Sequence, residues 1–318
     1  MKQFLHASVR KCWALSLIVL SANMPSFAQS GDKTSYTELG FSIGPSNFLG
    51  DLQGNQGRGT KFLKDNNFPT TKLMFGAYLG YYPSEWFGFR FAMNFGTLEA
   101  NDADIKGKGG LEEARKIRNS NFRSKIFEAM LLAEVYPTAF LEYEPSDVFL
   151  KLRPYGVAGV GIFKFKPQGT DPATGQWVDL QPLHTEGQGF PEYPDRKNYK
   201  LLQMNLPIGF GAKYYLSENV NLSAEILHRF TMTDYIDDVS TSYVDPAVFY
   251  NNLPLAQAQL AERMANKSGA NTSTRFQPGD KRGTATNNDG YYSVNIKIAF
   301  RLGNNDRWGN STRCPIRF

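Results

Sequence analysis

Cysteine and histidine are scarce in this chain, and no long apolar run follows its first thirty residues. Of 318 residues, two are cysteine and three are histidine. Cys12 lies in the N-terminal segment and Cys314 near the C-terminus. Loss of that segment leaves Cys314 alone, so no internal disulfide can form. Only His184 and His228 then remain to serve as an imidazole base. No stretch beyond residue 30 approaches the ~18 apolar residues of a membrane-spanning helix. A Lys/Arg stripe of the kind that binds nucleic acid is also missing.

The first residues read as an export signal. Lys2, Arg10 and Lys11 give a positive start, Trp13 to Leu20 is apolar but too short to span a bilayer, and Ser26-Phe27-Ala28 places small residues where a signal peptidase reads. Cleavage is expected after Ala28. Residues 1–28 are then a signal peptide, 29–302 the main domain, and 303–318 a tail. Removing the signal's three basic residues lowers the formal charge from +5 to +2, so the basic balance says little about partners. An exported chain with no membrane helix is periplasmic, secreted, or an outer-membrane barrel.

What the sequence does contain is alternation. Aromatic residues make up 14% of it, with 29 glycines, and apolar residues recur at every second position. Eight segments show or tolerate this period: 36–44, 72–82, 86–98, 124–136, about 151–163, 202–216, 220–230 and 291–302. Between Trp86 and Leu98, Phe87, Phe89, Phe91, Met93 and Phe95 oppose Gly88, Arg90, Ala92, Asn94 and Gly96. One face is apolar and aromatic on every clear strand, while the other mixes charge with glycine. A barrel in lipid wants this pattern, with apolar residues outside and a small lumen filled by polar groups. Glu38, Arg90, Glu128, Glu134, Lys213, Glu225, Arg229, Lys297 and Arg301 are the expected inward charges, and they carry both signs. Tyr81, Tyr82, Trp86, Tyr136, Tyr155 and Tyr215 are expected in interfacial girdles. Closure removes the strand edge that lipid could not satisfy.

Connections of three residues, 83–85 and 217–219, alternate with long ones at about 45–71, 99–123, 164–201 and 231–290. The segment 137–150 falls on the short side yet is longer. The fold expected is all-β: an eight-stranded antiparallel transmembrane β-barrel with short periplasmic turns, long extracellular loops, and both termini periplasmic in the bacterial outer membrane. Eight strands leave an interior just filled by side chains, so a diffusion pore is not expected.

Several stretches resemble the PorG family, the small outer-membrane barrels of the type IX secretion system of Bacteroidota. They are Glu38 to Gly44 with Asn47 to Leu52, Asp179 to Leu183 with Thr185 to Gly189, and Thr233 to Thr241 with Tyr243 to Asp245. The loop stretches, which contain Asp179, Glu186, Asp234, Asp237, Asp238 and Asp245, are the more particular. The resemblance covers essentially the whole mature chain. It implies a non-catalytic part of a protein-export machine, associated with a periplasmic ring of the lipoprotein PorK and the soluble protein PorN. The alternative is an OmpA-like structural or surface-binding barrel.

Chemistry has few footholds. A lipid hydrolase needs a nucleophile, a base and an orienting group. His228 falls on an apolar strand face whose neighbouring outward residue, Phe230, is no nucleophile, and His184 lies in a long loop. No enzyme activity and no cofactor are expected. Asp234, Asp237, Asp238 and Asp245 could offer oxygens to calcium, but their spacing matches no EF-hand. Aspartates that cap turns and pair with bases explain them as well. Gly156-Val157-Ala158-Gly159-Val160-Gly161 lacks the Lys-Ser/Thr of a phosphate loop and reads as strand. The tail carries Arg307, Trp308, Arg313, Cys314, Arg317 and Phe318, a cationic and aromatic set suited to an interface. Cys314, unpaired in an oxidising compartment, is expected to reach a partner, a PorK-like lipoprotein above all.

Overall fold

A computed structural model describes residues 35–52, 68–105, 112–141, 151–268 and 275–302. The expected signal segment and the tail residues Arg307, Trp308, Arg313, Cys314, Arg317 and Phe318 lie outside the described residues.

Eight long strands form the wall: β1 (Tyr36–Leu49), β2 (Lys72–Tyr82), β3 (Phe87–Asn101), β4 (Asn121–Val135), β5 (Leu152–Lys164), β8 (Leu202–Tyr215), β9 (Val220–Thr231) and β10 (Gly290–Leu302). Each pairs antiparallel with its neighbours in the chain. β1 pairs with β10 from Thr37↔Leu302 to Leu49↔Gly290, and this closes the ring. A short hairpin, β6 (Pro167–Thr170) and β7 (Trp177–Asp179), pairs with the first residues of β4. Among the described residues no helix is long and apolar enough to cross a membrane.

The alternation sets the faces. Phe89, Phe91, Met93 and Phe95 are each about half exposed, while Arg90 between them is buried. Phe41 and Ile43 point outward around a half-buried Ser42. An aqueous protein would not leave such a continuous aromatic belt uncovered. In lipid the belt is the favourable surface.

Three details depart from the sequence reading. First, β1 continues past Gly44-Pro45 to Leu49. Proline has no N–H, and the β1–β10 ladder is interrupted between Ile43↔Ile296 and Ser46↔Ser293. Pairing on both sides carries the strand across that gap. Second, Tyr82, Tyr136 and Tyr155 are not girdle residues but are buried in the lumen. Tyr81 and Tyr82 are consecutive, and consecutive strand residues face opposite ways. Tyr81 and Trp86 do face outward. Third, the lumen also takes apolar side chains, among them Ile126, Met130 and Leu132 of β4.

Connections at one end are short, 83–86 and 216–219. The segment after β4 opens with a 3-10 turn, Pro137–Phe140. The other end carries the long ones, and these are folded. They hold α1 (Glu112–Arg118), α2 (Ala247–Asn252) and α3 (Leu255–Ala265) as well as the β6–β7 hairpin. Leu180, Leu183, Phe190, Val248, Phe249, Ala258 and Met264 form a separate apolar core there.

Candidate functional site

The lumen is the first place to look for a function, and it is full. Eight charged side chains point inward, four acidic and four basic, and each is at most 3% exposed. Glu225, on β9, is the hub. Its Oε2 accepts from Arg90 Nη2 at 2.7 Å, Lys297 Nζ at 2.8 Å and Tyr155 Oη at 2.9 Å. Arg90 Nη1 also lies 2.8 Å from Glu134 Oε1. Glu134 accepts from Tyr82 Oη at 2.9 Å and from Tyr136 Oη at 2.5 Å. Glu38 binds Lys213 Nζ at 2.9 Å, Tyr82 Oη at 2.8 Å and Asn221 Nδ2 at 2.9 Å. Glu128 binds Arg229 Nη2 at 2.7 Å, Tyr291 Oη at 2.6 Å and Asn94 Nδ2 at 2.7 Å.

These pairs form because inward positions on different strands converge within a narrow ring. Buried charges persist only when they are paired and hydrogen-bonded, and here the signs balance. Glycine makes the room. A Cβ on Gly88 would stand 2.2 Å from the Tyr82 ring, and one on Gly40 would stand 2.2 Å from the Tyr78 ring. Each tyrosine ring occupies the space a side chain at that glycine would need. A water-filled passage would leave these side chains accessible, so their burial means the barrel is stoppered, from Glu38, Glu134 and Lys213 near the short-turn strand ends up to the Glu128–Arg229 pair. The ninth expected inward charge, Arg301, sits at the short-turn end. It is half-buried and stacks on Tyr36, 3.9 Å from the ring centre.

Above this layer the lumen turns apolar. Phe48, Met74, Phe122, Ile126 and Phe163 meet Leu52, Tyr199, Ile236 and Val239, which come down from the long connections. The cap therefore continues the plug. It is tied together by two buried arginines. Arg118 of α1 binds Asp102 at 2.7 Å and donates to the carbonyls of Arg282 and Asp51 at 2.7 and 2.8 Å. Arg282 binds Glu186 Oε1 at 2.8 Å and the Asp238 carbonyl at 2.6 Å. Burial pushes the Asp238 carboxyl up to about 6, against the pull of Arg282.

The family model described as outer membrane protein beta-barrel domain matches residues 14–252. The chain belongs to that family. It is an outer-membrane barrel. No curated protein matches the sequence. Similar solved structures include a major outer membrane protein of Thermus thermophilus, at 12% identity over 85% of this chain and 100% of that one, with a TM-score of 0.36. Others are Ail of Yersinia pestis, at 10% identity, 84% and 99% coverage and a TM-score of 0.34, and OprG of Pseudomonas aeruginosa, at 10% identity, 85% and 98% coverage and a TM-score of 0.34.

The barrel brings the two loop stretches of the PorG resemblance into contact. Glu186 accepts from the Ser240 and Thr241 amides at 2.9 and 3.0 Å. Asp238, with a left-handed φ of 64°, accepts from Thr185 and Tyr199. Asp179 stands apart on β7 and pairs with Lys166 at 2.6 Å. Asp245 is exposed and accepts from the Ala247 amide at the start of α2. Asp234 and Asp237 are buried beside Asp51, which lies in the first stretch of the resemblance but was not singled out, and Asp289, which the sequence reading did not name. Burial raises Asp234 to about 8. Burial and the neighbouring aspartates hold Asp237 and Asp289 well above the usual carboxylate range. Asp51 and Asp289 lie far from Asp234 and Asp237 in sequence or in another loop, and no local motif links them.

The two histidines lie apart, one in a long connection and one on the outer wall. His184 Nδ1 is taken by the Gln188 carbonyl at 2.6 Å and by Asn198 at 3.0 Å. His228 faces out of the barrel in an apolar groove of about 460 Å³, with Ile208, Phe210, Ile226 and Phe230.

Proposed function

We propose that this barrel is a PorG-like, non-catalytic component of a type IX protein secretion machine. It ties a periplasmic ring of PorK-like and PorN-like proteins to the outer membrane. The observation that supports this reading is the stoppered lumen. A barrel whose centre is occupied by paired charges and tyrosines carries no solute through itself, and that leaves its ends for work. The short-turn end holds the first and last strand residues, Tyr36 and Leu302, side by side. We place that end in the periplasm and the cap outside, as short turns and long loops divide in this class. The tail 303–318 then starts in the periplasm, and fully extended it reaches up to roughly 50 Å.

Co-purification from cross-linked cells tests the proposal. The full chain should bring down a periplasmic lipoprotein, and a chain lacking 303–318 should not. On non-reducing gels a heavier band should vanish on reduction and in Cys314→Ser. If no periplasmic protein is recovered and trimming the cap abolishes binding at the cell surface, the OmpA-like surface-binding reading takes its place.

A further inference from the structure

Among the described residues, most buried acids have a cation beside them, and one group of aspartates does not. The lumen acids are held by Arg90, Lys213, Arg229 and Lys297. In the cap, Asp102 has Arg118, Asp171 has Arg263, and Glu186 and Asp238 have Arg282. Asp51, Asp234, Asp237 and Asp289 have none within ion-pairing distance among the described residues.

Three loops bring these four together. The Asp289 amide donates to the Thr233 carbonyl at 2.9 Å, and Asp289 Oδ2 accepts from the Ile236 amide at 2.8 Å. Asp237 Oδ2 accepts from the Leu52 amide at 3.1 Å, and its Oδ1 from the Val239 amide at 2.9 Å. Asp51 accepts from the Thr284 amide. Amides donating to carboxylate oxygens favour the ionised form. Two of the four carboxylates keep oxygens to spare. Both carboxylate oxygens of Asp234, which is 6% exposed, and Oδ1 of Asp289, which is 1% exposed, are buried without a hydrogen bond. A buried charge is stable only when paired or when it coordinates a metal.

We propose that this cluster binds one hard divalent cation, calcium, at the outer mouth of the barrel. Among the described residues no three acidic, histidine or cysteine side chains already close on a single point. In this proposal two carboxylates with free oxygens, Asp234 and Asp289, supply the side-chain ligands. Main-chain carbonyls and water complete a shell of six to eight oxygens, as calcium accepts. Asp51 and Asp237 add negative charge around it. Asp238 and Asp245, which the sequence offered as ligands, take no part, because Arg282 and the α2 amide already occupy them. The bound ion would pin the 50–52, 233–240 and 284–289 segments to one another, and so fix the cap.

Calorimetric titration of the full chain in detergent with calcium chloride is the test. The wild type should bind one ion per chain with a dissociation constant of roughly 0.1–1 mM, the range of extracellular modules. Asp234→Asn and Asp289→Asn should each weaken binding at least tenfold, and Asp245→Asn should leave it unchanged. Protease resistance of the cap gives a second readout that does not need the variants to bind. In chelator, wild-type cap should be cut faster than Asp234→Asn cap, whose repulsion is reduced, and calcium should protect only the wild type. A wild type that takes no calcium at tenfold the expected constant overturns the proposal. So does a cap whose protection follows pH and ignores calcium, because protons would then be what neutralises the cluster.

Discussion

Glu225→Gln should destabilise the barrel by about 3–5 kcal/mol, the usual consequence of removing one partner from a buried ion pair. The carboxylate takes three donors at once, from Arg90, Lys297 and Tyr155. Arg90 keeps Glu134, but Lys297 is left as a cation 3% exposed with no acid in contact. Equilibrium unfolding in urea, followed by the gel shift between folded and unfolded barrel, measures the change. Glu192→Gln, which alters an exposed loop acid bonded to Asn252, should stay within about 0.5 kcal/mol. Adding Lys297→Met to Glu225→Gln should recover much of the loss, since removing both partners of a buried pair is often near neutral. Equal losses in Glu225→Gln and Glu192→Gln would mean that the lumen charges are not what hold the wall together.

Ile296→Arg should cost about 2–4 kcal/mol, the depth-dependent penalty for a cation on the lipid face at the midplane. Ile296 is the middle residue of β10, lies opposite Ile43 and Ala224, and is 62% exposed. Ser223→Ala, one strand away and facing the lumen with a hydroxyl that has no partner, should change little. Folding into lipid vesicles with urea titration reads both. The opposite order would mean that the two faces are reversed.

Much of the wall was legible because a period of two needs no distant information. Once Phe89, Phe91, Met93 and Phe95 are assigned to lipid, Arg90 and Asn94 must face inward, and the ring then decides which acid each meets. Strand ends were less legible, since Pro45 reads as a stop while pairing with β2 carries β1 across it to Ser46 and pairing with β10 resumes there and runs to Leu49. The tyrosines were misread by type rather than by parity: Tyr82 follows an outward Tyr81 and so must be lumenal. Ile126, Met130 and Leu132 were passed over because apolar residues on both faces hide the alternation of β4. The cap was the least legible part. A helical spacing at Ala258, Ala261 and Ala265 was there to be read after Pro254, but its partner Leu183 lies in another loop. The acidic cluster depends on Asp51 and Asp289 meeting Asp234, which only the closed barrel arranges.

The central claim is that this outer-membrane barrel is stoppered by its own side chains and acts through its ends. Single-molecule conductance in planar lipid bilayers tests it most directly. Purified protein should insert and show no stable open level, because the Arg90–Glu225–Lys297 and Lys213–Glu38 pairs and their tyrosines fill the lumen. A steady, large conductance from the folded wild type would contradict the account.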